Sequence, residues 1–186
     1  MHIVLVRHGE PSYKSVTERK FIGHGRDLAE LTSDGIKQAE LVSIDERLKG
    51  AELIVSSPYT RALQTAAIIS KNTGLDIKIE TDLHEWLPDV TYQFDNDDYA
   101  IEASHECHDF QGIYNKECKY NWENLSSVAN RAYESLYKYL NYKKIIVVSH
   151  GIVIRQFVFQ HKIPYCGILE TEFNLDTKWH GFIKEE

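Results

Sequence analysis

Three runs of apolar, mostly β-branched residues recur along the chain: Ile3-Val4-Leu5-Val6, Leu53-Ile54-Val55-Ser56 and Ile145-Ile146-Val147-Val148-Ser149. Continuous runs of this length fit strands covered on both faces, as in parallel sheets. Ile77-Lys78-Ile79 is a shorter candidate. Amphipathic stretches fill the gaps. Thr32-Ser33-Asp34-Gly35 leads into Ile36, Ala39, Leu41, Val42, Ile44 and Leu48, which share one broad helical face. A second helix is expected over residues 59–71, with Pro58 near its start and Gly74 just past its end. A third is expected over residues 125–140, and a fourth begins after Gly151. Strands alternating with helices imply a three-layer α/β/α sandwich around a mostly parallel sheet. Near the end, residues 171–175 and 179–183 flank Asp176-Thr177-Lys178 and read as a C-terminal hairpin, which makes the sheet mixed.

A length of 186 residues favours one domain, spanning residues 1–186. Residues 87–124 fit no clear period and are rich in Asp, Asn, His, Tyr and Cys. They read as an irregular excursion over the active site, a lid or a specificity loop. A net charge of -7 argues against a protein that grips nucleic acid by its backbone. No apolar run approaches the roughly 18 residues that span a bilayer, so no membrane partner is expected. The run at Ile3 is too short for a signal peptide and reads as a first strand. Cys107, Cys118 and Cys166 are an odd number in a chain too long to need staples, which points to free thiols and a cytoplasmic location.

The chemistry-bearing residues sit where these strands end. The first runs directly into Arg7-His8-Gly9-Glu10, and the last into His150-Gly151. In open α/β sheets ligands bind at the carboxyl ends of strands, so two His-Gly pairs are delivered to one rim. The middle strand leads through Ser56-Ser57-Pro58 to Arg61, in the first turn of a helix. A cation there opposes the helix dipole unless an anion offsets it, and a helix N-terminus beside a guanidinium suits phosphate. His105, Cys107, His108 and Cys118 match no strong zinc spacing, so no metal is expected. The aromatics Tyr92, Phe94, Tyr99, Phe110, Tyr114 and Trp122 read as local packing. Gly23-His24-Gly25-Arg26 lacks the length and the lysine of a phosphate-binding P-loop, and Arg26 and Lys14 read as solvated.

The ordered series of Arg7-His8-Gly9-Glu10, Leu31-Thr32 and Gly35 with Gln38-Ala39, Ser56-Ser57-Pro58 with Arg61-Ala62 and Gln64-Thr65-Ala66, Leu83 with Glu85, and Ser149-His150-Gly151 with Ile154-Arg155 resembles the histidine phosphatase superfamily, in its phosphoglycerate-mutase-like branch. The resemblance extends from residue 1 to about residue 159. It implies a phosphohistidine nucleophile at His8, with Arg7, Arg61, His150 and Gly151 around the phosphoryl group and Glu85 as proton donor. It implies no cofactor and a small phosphorylated substrate. In-line phosphoryl transfer requires little beyond positioning and charge stabilisation, which such a set supplies.

The segment after the first strand departs from the family. Pro11 follows Glu10, Ser12-Tyr13-Lys14 replaces the usual Trp-Asn, and Asp27-Leu28-Ala29-Glu30-Leu31-Thr32 replaces Asp-x-Pro-Leu-Thr. The expectation is a phosphatase acting on a small phosphomonoester. The alternatives are a phosphoglycerate-type mutase, a phosphoprotein (phosphohistidine) phosphatase, or a non-catalytic phosphate-binding module. The last would predict loss of His8, Arg7, Arg61 or His150, and all four are present.

Overall fold

A computed structural model describes residues 1–183. In chain order the strands are β1 (His2–Arg7), β2 (Pro11–Ser12), β3 (Glu30–Leu31), β4 (Leu53–Ser56), β5 (Ile77–Ile79), β6 (Lys144–Ser149) and β7 (Ile168–Glu172). The helices are α1 (Lys14–Glu18), α2 (Ser33–Val42), α3 (Thr60–Thr73), α4 (Asp97–Asp109), α5 (Leu125–Tyr137) and α6 (Gly151–Arg155). The main sheet has the order β5-β4-β6-β1-β7. Its first four strands are parallel, and β7 runs antiparallel to β1. The result is the mostly parallel, mixed α/β sheet that the apolar runs imply.

Period-two alternation divides each central strand between two cores. Ile3 and Leu5 of β1 pack with Trp122, Leu136, Val153 and Phe173 on the face of α5 and α6. Val4 and Val6 pack on the other face with Val42, Ala62, Ala66 and Ile69 of α2 and α3. With both faces covered, polar residues have no place until the strands end. Thr32 caps α2 by accepting the Gly35 N–H at 2.9 Å, and Gly74 closes α3 in the left-handed conformation.

Three expectations need correction. Among the described residues no hairpin forms near the C-terminus. The strand ends at Glu172, β7 pairs with β1 instead, and residues 179–183 form no strand. Trp179 is held by its side chain, donating Nε1–H to Gln156 Oε1 at 2.8 Å, so its aromatic alternation reflects docking onto α6. Residues 87–124 are not wholly irregular, because they contain the thirteen-residue helix α4. Only Ala103 and Cys107 of that helix are buried, too few for a visible period. Finally, α2 stops at Val42, and Ile36, Leu41 and Ile44 face solvent rather than one apolar face. Among the described residues, no helix is long and apolar enough to cross a membrane.

Candidate active site

Parallel neighbours in the order β4-β6-β1 align their carboxyl ends, with Arg7 opposite Ser149 and Ser56 opposite Val148. His8, Ser57 and His150 therefore leave the sheet side by side. The His8 and His150 rings lie edge to face, 5.1 Å between centroids.

His8 is 5 % exposed. Its Nδ1 lies 2.7 Å from the Gly9 carbonyl, which can only accept, so Nδ1 carries the proton and Nε2 keeps its lone pair. Burial first, then the Arg61 and Arg7 charges, hold the imidazole well below its ordinary value against the smaller opposing pull of the Gly9 carbonyl. The ring is thus neutral at neutral pH.

The turn behind it requires glycine. A Cβ on Gly9 would come within 2.5 Å of the Gly35 carbonyl oxygen, and one on Gly35 within 2.3 Å of the Glu10 oxygen. The loop after β1 is pressed onto the first turn of α2, and Gly9 N–H donates to Thr65 Oγ1 of α3 at 3.0 Å. Glu10 Oε2 is tied up by the Thr32 hydroxyl at 2.7 Å.

Two cations reach the site, Arg7 from the end of β1 and Arg61 from the start of α3. Arg7 donates Nη1–H to the Ile163 carbonyl at 2.5 Å, and its guanidinium lies 4.3 Å from the Tyr165 ring centre. It also passes over Gly151, where a Cβ would stand 3.7 Å from Arg7 Nε. Arg61 is buried in the first turn of α3 and ion-paired at 3.2 Å to Asp27. Its guanidinium lies 5.0 Å from the Tyr59 ring and 5.9 Å from the Tyr13 ring. The anion that offsets this cation against the helix dipole is thus, in part, Asp27.

His150 is fully buried, its Nε2 2.7 Å from Ser57 Oγ. Ser57 Oγ also accepts the Tyr59 N–H at 3.3 Å; when it gives its own proton to Nε2, the His150 proton stands on Nδ1. Burial, Arg61 and then His8 hold His150 well below its ordinary value, so it too is neutral. Arg7 Nε, Arg61 Nε and His150 Nδ1 are buried without a hydrogen-bond partner among the described residues. Buried donors are normally paired, so three such groups around one imidazole form a cradle for an oxyanion.

Glu85 enters from the loop after β5. Arg131 of α5 fixes that loop by donating to the carbonyls of His84 at 2.8 Å and Glu85 at 3.3 Å. The Glu85 carboxylate accepts Trp86 N–H at 2.9 Å and Ile152 N–H at 3.4 Å. Burial nevertheless pushes its carboxyl above the ordinary value, against the opposing pull of those amides and of Arg61 and Arg7.

The structure thus brings together Arg7, His8, Arg61, Glu85, His150 and Gly151. It does not bring Lys14, which is exposed. Arg26 proves buried rather than solvated, bonded to Asp97 and to the Asp95 carbonyl. Tyr92 and Phe94 line the cleft beside Arg61 and Glu85, whereas Tyr99 packs edge to face on Tyr120 and Trp122 lies in the core. Cys107 is also core, its thiol pushed up to about 12 by burial. Sequence reading missed the contributions of Tyr13, Asp27 and Ser57. Ser57 stands beside a strand end and could have been suspected; Tyr13 and Asp27 lie in the segments that depart from the family after the first strand, but nothing there singles out the residues that meet Arg61.

If Ser57 sets the His150 tautomer, Ser57→Ala should lower kcat about tenfold, the scale of one neutral hydrogen bond, with KM nearly unchanged. Steady-state kinetics on p-nitrophenyl phosphate would check this, and an unchanged kcat would leave Ser57 a packing residue.

The fold and part of the sequence are shared with known proteins. The mycobacterial glucosyl-3-phosphoglycerate phosphatase superposes with a TM-score of 0.67 at 19 % identity, over 91 % of this chain and 88 % of that one. The alpha-ribazole phosphatase from Shigella flexneri superposes with a TM-score of 0.66 at 22 % identity, over 94 % and 92 %. At such identities the likeness concerns the fold alone. The probable phosphoglycerate mutase GpmB of Yersinia pestis (strain Pestoides F) is 35 % identical over 85 residues, which are 46 % of this chain and 38 % of that protein. The same figures hold for its namesake in Salmonella paratyphi C. The match thus spans well under half the length of these curated relatives. The model of the histidine phosphatase superfamily (branch 1) matches residues 3–164, and the chain belongs to that family.

Proposed function

We propose that this protein is a phosphatase that hydrolyses the phosphomonoester of a small metabolite through a phosphohistidine on His8. One observation carries the reading. A neutral imidazole, pinned through Nδ1 by the Gly9 carbonyl, stands among the unpartnered buried donors of Arg7, Arg61 and His150.

In the first step His8 Nε2 attacks phosphorus. The N–P bond forms, the ester P–O bond breaks, and the Glu85 proton goes to the leaving oxygen, releasing the alcohol. Arg7, Arg61 and the His150 Nδ1–H hold the three equatorial oxygens, whose charge they stabilise. In the second step Glu85, now a carboxylate, takes a proton from water as that water attacks phosphorus. The N–P bond breaks, inorganic phosphate leaves, and His8 and Glu85 return to their starting states.

The runner-up is a mutase, favoured by the name of the GpmB relatives. A coupled assay on 3-phosphoglycerate beside a phosphate-release assay on a metabolite panel separates the two. Phosphate release should outpace isomerisation, and the reverse order on every substrate would make the mutase reading correct.

The role of Glu85 has its own test. Catalysis needs His8 deprotonated and Glu85 protonated. The His8 condition is met well below its ordinary value of 6.5, so it imposes no loss near neutrality. The Glu85 condition holds below its raised value and is lost as pH rises through it. A pH profile of kcat/KM should therefore fall on its alkaline side by one proton, and Glu85→Gln should lack that limb. The same variant should lose on the order of a hundredfold on alkyl phosphates but far less on p-nitrophenyl phosphate, whose leaving group departs without protonation. Equal losses on both would make Glu85 structural.

A further inference from the structure

We propose that the alcohol half of the substrate is uncharged and carries a ring, so that phosphoglycerates and other carboxylated esters are poor substrates. This rests on the phosphatase reading above and names the substrate class of the same site.

Charge favours a neutral alcohol. The cleft that opens from Arg61 and Glu85 has two guanidiniums in its wall, Arg26 and Arg61, and two aspartates, Asp27 and Asp97. No lysine lines it among the described residues. Each basic group of the wall already has a carboxylate beside it, His24 included, whose Nδ1 lies 3.3 Å from Asp27 Oδ2. Arg26 is 3 % exposed, ion-paired to Asp97 and bonded at 2.9 Å to the Asp95 carbonyl. Arg61 lies 3.2 Å from Asp27, and it also belongs to the phosphoryl cradle. A substrate carboxylate would thus be stripped of water without gaining a free cation, and would face two aspartates. A neutral alcohol incurs neither cost.

Shape favours a ring. The same cleft is walled by Tyr13, Tyr59, Trp86, Tyr92 and Phe94. The Trp86 indole N–H is already donated to the Glu123 carbonyl at 2.7 Å, so Trp86 offers the cleft an apolar surface. At the mouth, Tyr92 lies over His24 with ring centroids 4.4 Å apart and tilted by 30°. Tyr92 reached this position by adopting a positive φ of 59°, which a tyrosine seldom takes. Aromatic walls whose charged neighbours are paired with one another favour a cyclic body over a short acyclic one.

Two pairs of alkyl esters separate the effect of charge from that of shape. Glycerol 3-phosphate and 3-phosphoglycerate differ in a hydroxymethyl against a carboxylate. Ethyl phosphate and 2-phenylethyl phosphate differ in a ring. The glycerol ester should exceed the glycerate in kcat/KM at least tenfold, and the phenylethyl ester should exceed the ethyl ester at least tenfold, mainly through KM. Asp97→Asn should narrow the first ratio several-fold by releasing Arg26 for the carboxylate. A ratio is read rather than a rate, so partial loss of folded protein does not imitate the effect.

Equal or better turnover of 3-phosphoglycerate, no gain from the ring, or an unmoved ratio in Asp97→Asn would overturn the proposal. Hydrolysis of p-nitrophenyl phosphate, run in parallel, reports the phosphatase reading separately. Calorimetric titration of the same four esters into His8→Ala protein reads the discrimination as affinity, so the binding order must repeat there even without turnover.

Discussion

Replacing His8 by alanine is expected to lower kcat/KM on p-nitrophenyl phosphate by at least about a thousandfold, the scale typical for loss of a covalent nucleophile. The fold should persist. Among the described residues the imidazole makes one side-chain hydrogen bond, to the neighbouring Gly9 carbonyl, and it is held neutral beside two arginines. Its removal relieves a desolvated polar group as much as it opens a void. Circular dichroism and Tm should therefore stay near the wild-type values while activity disappears. In the wild type, quenching during turnover should yield a protein-bound phosphoryl group that survives base and is lost in acid. The variant should show none. Normal turnover in His8→Ala would remove the nucleophile from the account.

Arg61 carries the second large effect. Loss of one preorganised donor to a developing oxyanion costs on the order of a hundredfold or more in rate. Arg61→Ala is expected to reach that range, expressed in kcat more than in KM. It would also leave Asp27 without its cation, which confounds the reading. The double variant Arg61→Ala with Asp27→Ala removes that orphaned carboxylate and should still be at least about a hundredfold impaired. Arg61→Lys keeps the charge but not the planar fork, so it should fall between the wild type and Arg61→Ala. A loss under tenfold in the double variant would show that Arg61 serves Asp27 and Tyr13 rather than the phosphoryl group.

The central strands were legible because burial on both faces leaves a chemical trace, as in the unbroken apolar run of β6. Their ends were legible for the complementary reason. Arg7-His8 and His150-Gly151 appear abruptly where the apolar runs stop. The relation between them was not legible. His150 meets Ser57 across 93 positions of chain, and Arg61 meets Asp27 across 34. Neither spacing is a local period, and both pairs exist only because β4 and β6 are neighbours and the turn at Asp27 folds over α3.

Helix α4 was missed although its start carried a usable signal. Asn96 caps it by accepting the Tyr99 N–H at 2.9 Å, and Asp97 and Asp98 fill its first turn. What masked it was the thinness of its buried face. The C-terminal hairpin failed in the opposite sense. Residues 179–183 have strand-like alternation, but His180 Nε2 lies 2.8 Å from the Arg155 carbonyl and Trp179 bonds Gln156, so side chains rather than a backbone ladder secure them.

The central claim is that the phosphoryl group passes through His8 before it reaches water. The stereochemical course at phosphorus tests this most directly, with an isotopically chiral phosphomonoester hydrolysed in labelled water. Two in-line displacements, first onto nitrogen and then onto water oxygen, predict overall retention of configuration. Inversion would mean a single direct attack by water and would contradict a phosphohistidine intermediate, whatever the rates of the His8 variants.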